Sequence, residues 1–248
     1  MKMSNKTSTD LVSSIIAGAT AEVTILPICT IQTVYQTQSN LGAGHQSVWQ
    51  VTKELYTRHG FRSFYNATGA GILSQMASTG SKFTIYKLIQ KKRGTKKGDL
   101  WNNVLNGGAA GMASVLFTQP FDVLKNYHQR QKSIAPAVKE YGPQVFYHGA
   151  KQSITKSALL IACLYPVNDF FRANLSENPI ISAIATTIAI TPVIHPIDLL
   201  KRRAIAKKKL WLGWNPRPYY KGVLINWCRS IPHFCVTMWT IDFISKFF

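Results

Sequence analysis

Pro120-Phe121-Asp122-Val123-Leu124-Lys125 and Pro196-Ile197-Asp198-Leu199-Leu200-Lys201 follow one pattern: a proline, an acid two residues on and a base five residues on. A third stretch, Pro27-Ile28-Cys29-Thr30-Ile31-Gln32, keeps the frame without the charges. All three lie in long, mainly apolar runs, where charges are costly and usually mark a pathway or a paired gate. After each comes an aromatic-x-small triplet: Tyr65-Asn66-Ala67, Tyr147-His148-Gly149 and Tyr220-Lys221-Gly222. A threefold succession of this size suits a soluble solenoid or an internally repeated membrane protein.

Composition decides between them. The 248 residues are 46% hydrophobic and only 16% charged, below the roughly one quarter usual for soluble domains. Runs at 11–36, 67–88, 105–129, 150–171, 180–200 and 222–248 each reach the ~20 residues that cross a bilayer core. A mean hydropathy of −0.01 fits helices with one wet face. The expected architecture is therefore all-α: six amphipathic membrane helices, two in each of three repeats, closing around a polar cavity. We place one domain over 1–248, with repeat one at 9–93, repeat two at 100–173 and repeat three at 177–248.

The surplus of +19 collects in loops, at Lys91, Lys92, Arg93, Lys96 and Lys97 and again at Lys207, Lys208 and Lys209. Such clusters suit anionic lipid headgroups; neither has the interleaved aromatics of a nucleic-acid groove. Four cysteines without ligand spacing (Cys29, Cys163, Cys228, Cys235) read as buried thiols in spans. Met1–Thr9 is polar, lacks the apolar core of a secretory signal and reads as a lead-in that Thr9 or Asp10 ends by capping the first helix.

Small residues open the odd helices (Ala17-Gly18-Ala19, Gly107-Gly108-Ala109), letting backbones approach closely. The segment Ser47-Val48-Trp49-Gln50-Val51-Thr52-Lys53-Glu54-Leu55-Tyr56 has helical periodicity, with Val48, Trp49, Val51 and Leu55 expected on one side. The second and third connections carry Pro136, Pro143, Pro216 and Pro218, which argues against a comparable helix in either.

These motifs resemble the mitochondrial carrier family, whose signature is Pro-x-acid-x-x-base, a connecting segment, then acid-Gly, four residues, aromatic-base-Gly. Repeat two matches through Pro120, Asp122 and Lys125, then Gly142, Tyr147 and Gly149, with Tyr141 in place of the acid. Repeat three matches through Pro196, Asp198, Lys201 and Tyr220-Lys221-Gly222. Repeat one offers Pro27, Gly60, Tyr65 and Ala67, with Cys29 and Gln32 where charges belong.

The resemblance implies a six-helix barrel in the mitochondrial inner membrane whose odd-helix acids and bases pair to close an inner gate. Carried over, Asp122 pairs with Lys201, Asp198 faces Gln32, and Lys125 faces Cys29 without a partner. Gln36 and Gln129 match the family's bracing glutamines; Ile205 does not. An outer gate is implied at Asp169, Arg172 and Asp242, with Lys87 where a third acid belongs. This depleted gate implies an outward-open resting form. The triplets at Tyr147/Gly149 and Tyr220/Gly222 resemble the family's cardiolipin-binding element, where free helix amides attract phosphate.

The same resemblance places the solute against Ser74, Gln75, Lys156, Ser157, Arg229 and Ser230, with Leu160, His233 and Ser78 a turn further, Lys82 beyond them and Arg202 as an added contact. Lys156 and Arg229 converge with only Glu22 as an evident counter-charge, which favours an anion. The expected activity is exchange of a small anionic solute by alternating access in a monomer. Nucleotides, deoxynucleotides included, lead. Phosphate, di- or tricarboxylates and a carrier-shaped scaffold without transport stay open. No catalytic constellation or metal-ligand cluster is evident, so neither enzyme chemistry nor a cofactor or metal is expected, nor a nucleic-acid partner.

Overall fold

The computed structural model describes residues 2–38, 46–93, 100–175 and 179–245. Six long helices dominate: α1 (Lys2–Gln36), α3 (Thr68–Arg93), α4 (Leu100–Gln129), α6 (Ala150–Asn174), α7 (Pro179–Ile205) and α8 (Val223–Ser245). Two short helices, α2 (Val48–His59) and α5 (Ala135–Tyr141), and three 3₁₀ turns (Phe61–Tyr65, Gly142–Tyr147, Arg217–Tyr220) connect them. No strand occurs among the described residues.

α1 already begins at Lys2, so Met1–Thr9 is not a lead-in and neither Thr9 nor Asp10 starts the helix. Residues 2–9 hold no proline or glycine, and a formed helix extends cheaply through such sequence. Pro27, Pro120 and Pro196 all lie inside continuous helices. Each removes one backbone donor there, leaving the carbonyl a turn earlier without its partner.

The long helices form a closed ring: α1 packs on α3, α3 on α4, α4 on α6, α6 on α7, α7 on α8, and α8 returns to α1. α1, α4 and α7 also touch one another, so the three proline helices converge. Their ends are anchored by two apolar clusters. Tyr35, Val51, Leu55 and Phe64 form one, and Val123, Tyr127, Val145 and Ile205 the other. Each fully buried side chain of this kind contributes roughly 1.5–3 kcal/mol.

Elsewhere the distribution is inverted relative to a water-soluble protein. Glu22, Gln32, Gln36, Asn106, Gln119, Gln129, His195, Asp198 and Arg203 are buried, while Val12, Ile16, Leu73, Leu116, Phe117, Ile188, Val193, Leu224 and Trp239 are exposed. The ring is wet inside and apolar outside. By length and mean hydropathy two stretches among the described residues qualify as membrane spans, Val12–Gln36 at 1.7 and Ile184–Ile205 at 1.2. Polar cavity-facing residues lower the average of a helix that lines a hollow.

The connections differ from expectation in two places. α2 is fixed by a capping box: the Gln50 N–H donates to the Ser47 hydroxyl at 3.2 Å, and the Ser47 N–H donates to Gln50 Oε1 at 2.7 Å. Val51 and Leu55 face inward, but Trp49 is 74% exposed and Val48 37%, so the buried face is narrower than the periodicity suggests. α5 forms despite Pro136, because that proline sits in the first turn, where its missing N–H is not needed. The third connection has only the 3₁₀ turn among the described residues. Of the cysteines, Cys29 is buried and Cys163 half-buried, but Cys228 and Cys235 are exposed. They share a stripe of α8 with exposed Leu224 and Trp239.

Candidate functional site

Inside the ring a cavity of about 460 Å³ is walled by the converging parts of α1, α4 and α7 and by the second and third turns of α3, α6 and α8. Ser74, Gln75, Ser78, Lys156, Arg202, Arg229, Ser230 and His233 all line it, together with Asp122, Lys125, Asp198 and Lys201. Ser157, Leu160 and Lys82 fall outside this lining. Gln75 reaches in because Gly18 on α1 leaves room: a Cβ there would lie 2.6 Å from Gln75 Nε2.

Three carboxylates organise the cavity, each with its own lysine. Lys201 Nζ lies 2.6 Å from Asp122 Oδ2, the pair expected from the motif, and the Ser74 hydroxyl donates to Asp122 Oδ1. The other two pairs correct the sequence reading. Asp198 does not face Gln32; Lys156 Nζ donates to it at 2.7 Å. Lys125 is not partnerless, because Glu22 Oε1 sits 2.5 Å from its Nζ. Glu22 is therefore the ion-pair partner of Lys125. It lies seven residues before Cys29 on α1, on the same helix face, and stands in for the missing motif acid from two turns away.

The layer beyond these pairs is built on amides rather than on ion pairs. The Thr33 hydroxyl donates to Gln129 Oε1 at 2.7 Å, tying α1 to α4. Gln32 Nε2 donates to Asn226 Oδ1 at 3.2 Å, and Arg202 Nη2 donates to Gln32 Oε1 at 3.2 Å. Gln36 Nε2 approaches the Lys221 carbonyl at 3.3 Å and His195 Nε2 at 3.4 Å. Arg203 is fully buried and structural: it donates to the carbonyls of Lys209, Gln36 and Gln38. The Lys201-Arg202-Arg203 run thus divides into the partner of Asp122, a cavity cation and a clamp on three backbone carbonyls.

Residues just before two of the prolines escaped the sequence reading. Gln119 Nε2 donates to the His148 carbonyl at 2.6 Å and its Oε1 accepts from the Ser153 hydroxyl at 2.8 Å. His195 Nε2 lies 3.0 Å from the Lys221 carbonyl. In both cases the pre-proline side chain holds the middle carbonyl of the aromatic-x-Gly triplet, so each proline segment is tied to the start of the next long helix. A polar residue preceding the proline in Gln119-Pro120 and His195-Pro196, against Leu26-Pro27, was the available signal.

Five permanent cations face three carboxylates in this lining. The surplus falls on Arg202 and Arg229. Arg229 Nη2 donates to Asn226 Oδ1 at 2.8 Å, but Arg229 Nε and Arg202 Nη1 are buried without a partner. A buried, unsatisfied donor costs about 1–3 kcal/mol, more when charged, so both are poised to accept an anionic group.

Toward the far ends of the even helices, the side chains of Asp169 and Asp242 lie outside the described residues. Arg172 is exposed, and Lys87 sits 4.4 Å over the Phe83 ring. At the converging end, Tyr220 and Gly222 line a groove of about 300 Å³ with Tyr35, Val48, Arg217 and Lys221. Tyr147 is half exposed, and Gly149 and Gly222 both take φ +82°.

A sequence model for mitochondrial carrier proteins matches residues 4–97 and 96–179. The chain is 35% identical over 242 residues to a mitochondrial carrier-like protein of Acanthamoeba polyphaga mimivirus, covering 96% of both. It is 21% identical over 258 residues to the mitochondrial dicarboxylate carrier of Caenorhabditis elegans, covering 90% of this chain and 88% of that one. Against the mitochondrial electrogenic aspartate/glutamate antiporter of Mus musculus it is 23% identical over 271 residues, covering 94% of this chain but only 40% of the relative.

Proposed function

The chain belongs to the mitochondrial carrier protein family, whose members are transporters rather than enzymes, and from that premise we propose that it exchanges an anionic solute across the mitochondrial inner membrane by alternating access. The six long helices span the bilayer as three pseudo-symmetric units. Support comes from the inverted burial: charged and amide side chains inside, a skin of leucine, isoleucine, valine and aromatics outside.

The observation that carries the solute class is the pair of unpartnered donors, Arg202 Nη1 and Arg229 Nε, in a cavity with two more cations than acids. A solute with two or more negative charges neutralises that surplus, and guanidinium forks suit carboxylate or phosphate.

Binding and gating share residues. Lys156 is both the solute contact and the partner of Asp198. An anion that draws Lys156 away frees Asp198 and loosens α6 from α7. Ser74 links the solute wall to Asp122 in the same way. The Asp122–Lys201 pair and the Thr33–Gln129 bond then remain as the inner closure, which opens once the solute has taken over the competing contacts.

Nucleotides are the first reading. The cavity falls in the size range of sites for drug-sized ligands, and Gln75, Ser78, Ser230 and His233 offer edges for a base and sugar. Dicarboxylates are the second reading, favoured by the full-length similarity to a dicarboxylate carrier. The groove at Tyr220-Lys221-Gly222 holds a cardiolipin phosphate, and the protein works as a monomer.

Purified protein in liposomes, loaded in turn with ADP, a deoxynucleotide, phosphate and malate, should exchange one class, and Arg229→Ala should abolish that exchange. Absence of flux with every anion would support a scaffold and defeat this reading, as would flux that Arg229→Ala leaves intact.

A further inference from the structure

The connection between α7 and α8 presents two tryptophans that the central cavity does not use. Trp214 is 93% exposed and Trp211 54%, and their rings meet edge to face with centroids 5.2 Å apart. Leu210 beside them is open as well, and so are Lys209 and Arg217. An indole left in water forfeits the burial that large aromatics otherwise contribute, so an ordered, exposed pair marks a surface that something covers.

Hydrogen bonds hold this loop in one shape. Fully buried Arg203 donates through Nε to the Lys209 carbonyl at 2.9 Å. The Leu212 N–H donates to the Tyr219 hydroxyl at 3.0 Å, and that hydroxyl donates to the Gly213 carbonyl at 3.4 Å. The Arg217 N–H donates to Asn215 Oδ1 at 3.0 Å. These bonds fold the tryptophan stretch back onto the segment that leads into α8. Leu224, 67% exposed, begins the apolar skin there and shares a groove with Arg217.

We propose that the Trp211–Trp214 loop is an interfacial anchor: both indoles enter the headgroup layer of an anionic bilayer, with Lys209 and Arg217 against its phosphates. This rests on the reading in which the six long helices span a membrane. Indoles favour the boundary between headgroups and acyl chains, because the ring and the N–H each find a suitable medium there. Charge agrees with that occupant. From Leu199 to Ile241 the chain holds no Asp or Glu, so the exposed charges of the loop are basic, and basic segments beside a span are drawn to anionic lipid. A preformed loop also loses little conformational freedom on insertion.

The test is tryptophan fluorescence of the full-length protein in nanodiscs of brominated phosphatidylcholine, with and without brominated phosphatidylglycerol. Subtracting the spectrum of Trp211→Phe/Trp214→Phe from that of the parent isolates the loop indoles, and either single substitution serves if the pair disturbs folding. In anionic discs the bromines should quench this difference signal about twofold or more, while aqueous acrylamide leaves it largely intact. A signal open to acrylamide and untouched by bromine overturns the proposal and leaves the pair to a protein partner. Quenching that is equal in neutral and anionic discs, or that Lys209→Gln/Arg217→Gln does not weaken, overturns it as well, because lipid charge then plays no part. The emission that remains in the double variant includes Trp239, 65% exposed on α8, and tests the premise separately. Bromine that spares both signals defeats the membrane-spanning reading. Bromine that quenches the remaining emission but spares the loop defeats this inference alone.

Discussion

The α4–α7 contact and the α1–α7 contact occupy equivalent places in the ring and are built from different chemistry. Between α4 and α7 the motif charges are present, and Asp122 and Lys201 meet at 2.6 Å. Between α1 and α7 they are missing: Gln32 bridges Asn226 and Arg202 through neutral or singly charged hydrogen bonds. The charges left over from α1's depleted motif are satisfied elsewhere. Lys125 takes Glu22, and Asp198 takes Lys156. The ionic network therefore runs from the α4–α7 pair into the cavity wall through Lys156. Under the proposed function, gating and solute binding share that lysine.

The strongest way to break that comparison is Lys156→Met. It removes a cation from the cavity wall and strands Asp198, which is 7% exposed, without its partner. Breaking a buried pair from one side costs about 3–5 kcal/mol, and about 100-fold loss of exchange corresponds to about 2.7 kcal/mol in the barrier. Both effects are expected together, in liposome flux and in thermal unfolding. If Lys156→Met unfolds like the parent, Lys156 does not serve the gate. Lys156→Arg should recover stability before it recovers rate, because its longer fork reaches Asp198 but changes the solute geometry.

Glu22→Gln comes next. The Glu22–Lys125 pair is the most buried of the three, with side chains 8% and 18% exposed, so its loss approaches about 3–5 kcal/mol. Cys29→Asp in that background returns an acid to the position the motif reserves for it. Recovery of most of the lost stability in the double variant would show that Lys125 accepts either acid and that Glu22 is a displaced motif charge. A strictly additive pair of effects would show that position 29 never faces Lys125.

The regular parts of this arrangement were legible in the sequence, and the irregular parts were not. Apolar runs located the helices, and the family resemblance carried by the proline-acid-base and aromatic-x-Gly motifs implied the Asp122–Lys201 pair and most of the residues that line the cavity. They failed where a partner came from outside the motif. Glu22 stood out in the sequence as a counter-charge, but its position outside the motif named no partner; only the packing of α1 against α4 brings it to Lys125. Lys156 was identified as a solute contact, and its second allegiance to Asp198 depends on the α6–α7 approach. α5 was missed because Pro136 was weighed as a breaker without regard to its place in the first turn. Trp49 was misplaced because its periodicity fits a face that is wider than the one α2 buries.

Asp122→Asn sharpens the comparison from the other side by giving α4–α7 the neutral chemistry of α1–α7. This pair is partly open, with side chains 25% and 18% exposed, so solvent screening reduces the cost to about 1–3 kcal/mol. The amide can still accept from the Ser74 hydroxyl. Thermal unfolding should therefore fall modestly. Exchange should speed up if opening of this end limits the rate, since the closed form loses its one motif ion pair. A slower exchange with the same stability loss would mean that the pair is needed during opening rather than only in closure.

The smallest effects separate two glycines with the same backbone. Gly149 and Gly222 both sit at φ +82°, a conformation that costs an alanine about 1–2 kcal/mol. Their surroundings differ. A Cβ on Gly149 would lie 3.0 Å from Ile205 Cγ1 and 3.1 Å from the Lys201 carbonyl, a backbone atom of the gate residue itself. A Cβ on Gly222 would meet Gln36 Nε2 at 3.3 Å and the Tyr35 ring at 3.4 Å, side-chain atoms that can yield by a few tenths of an ångström. Gly222→Ala should therefore cost the backbone strain alone, while Gly149→Ala adds displacement of α7 at Lys201 and weakens the Asp122 pair. Measured in the Asp122→Asn background, where that pair is already gone, the two alanine substitutions should become equal. If the gap between them persists there, the extra cost at Gly149 lies in the packing of Ile205 and not in the gate.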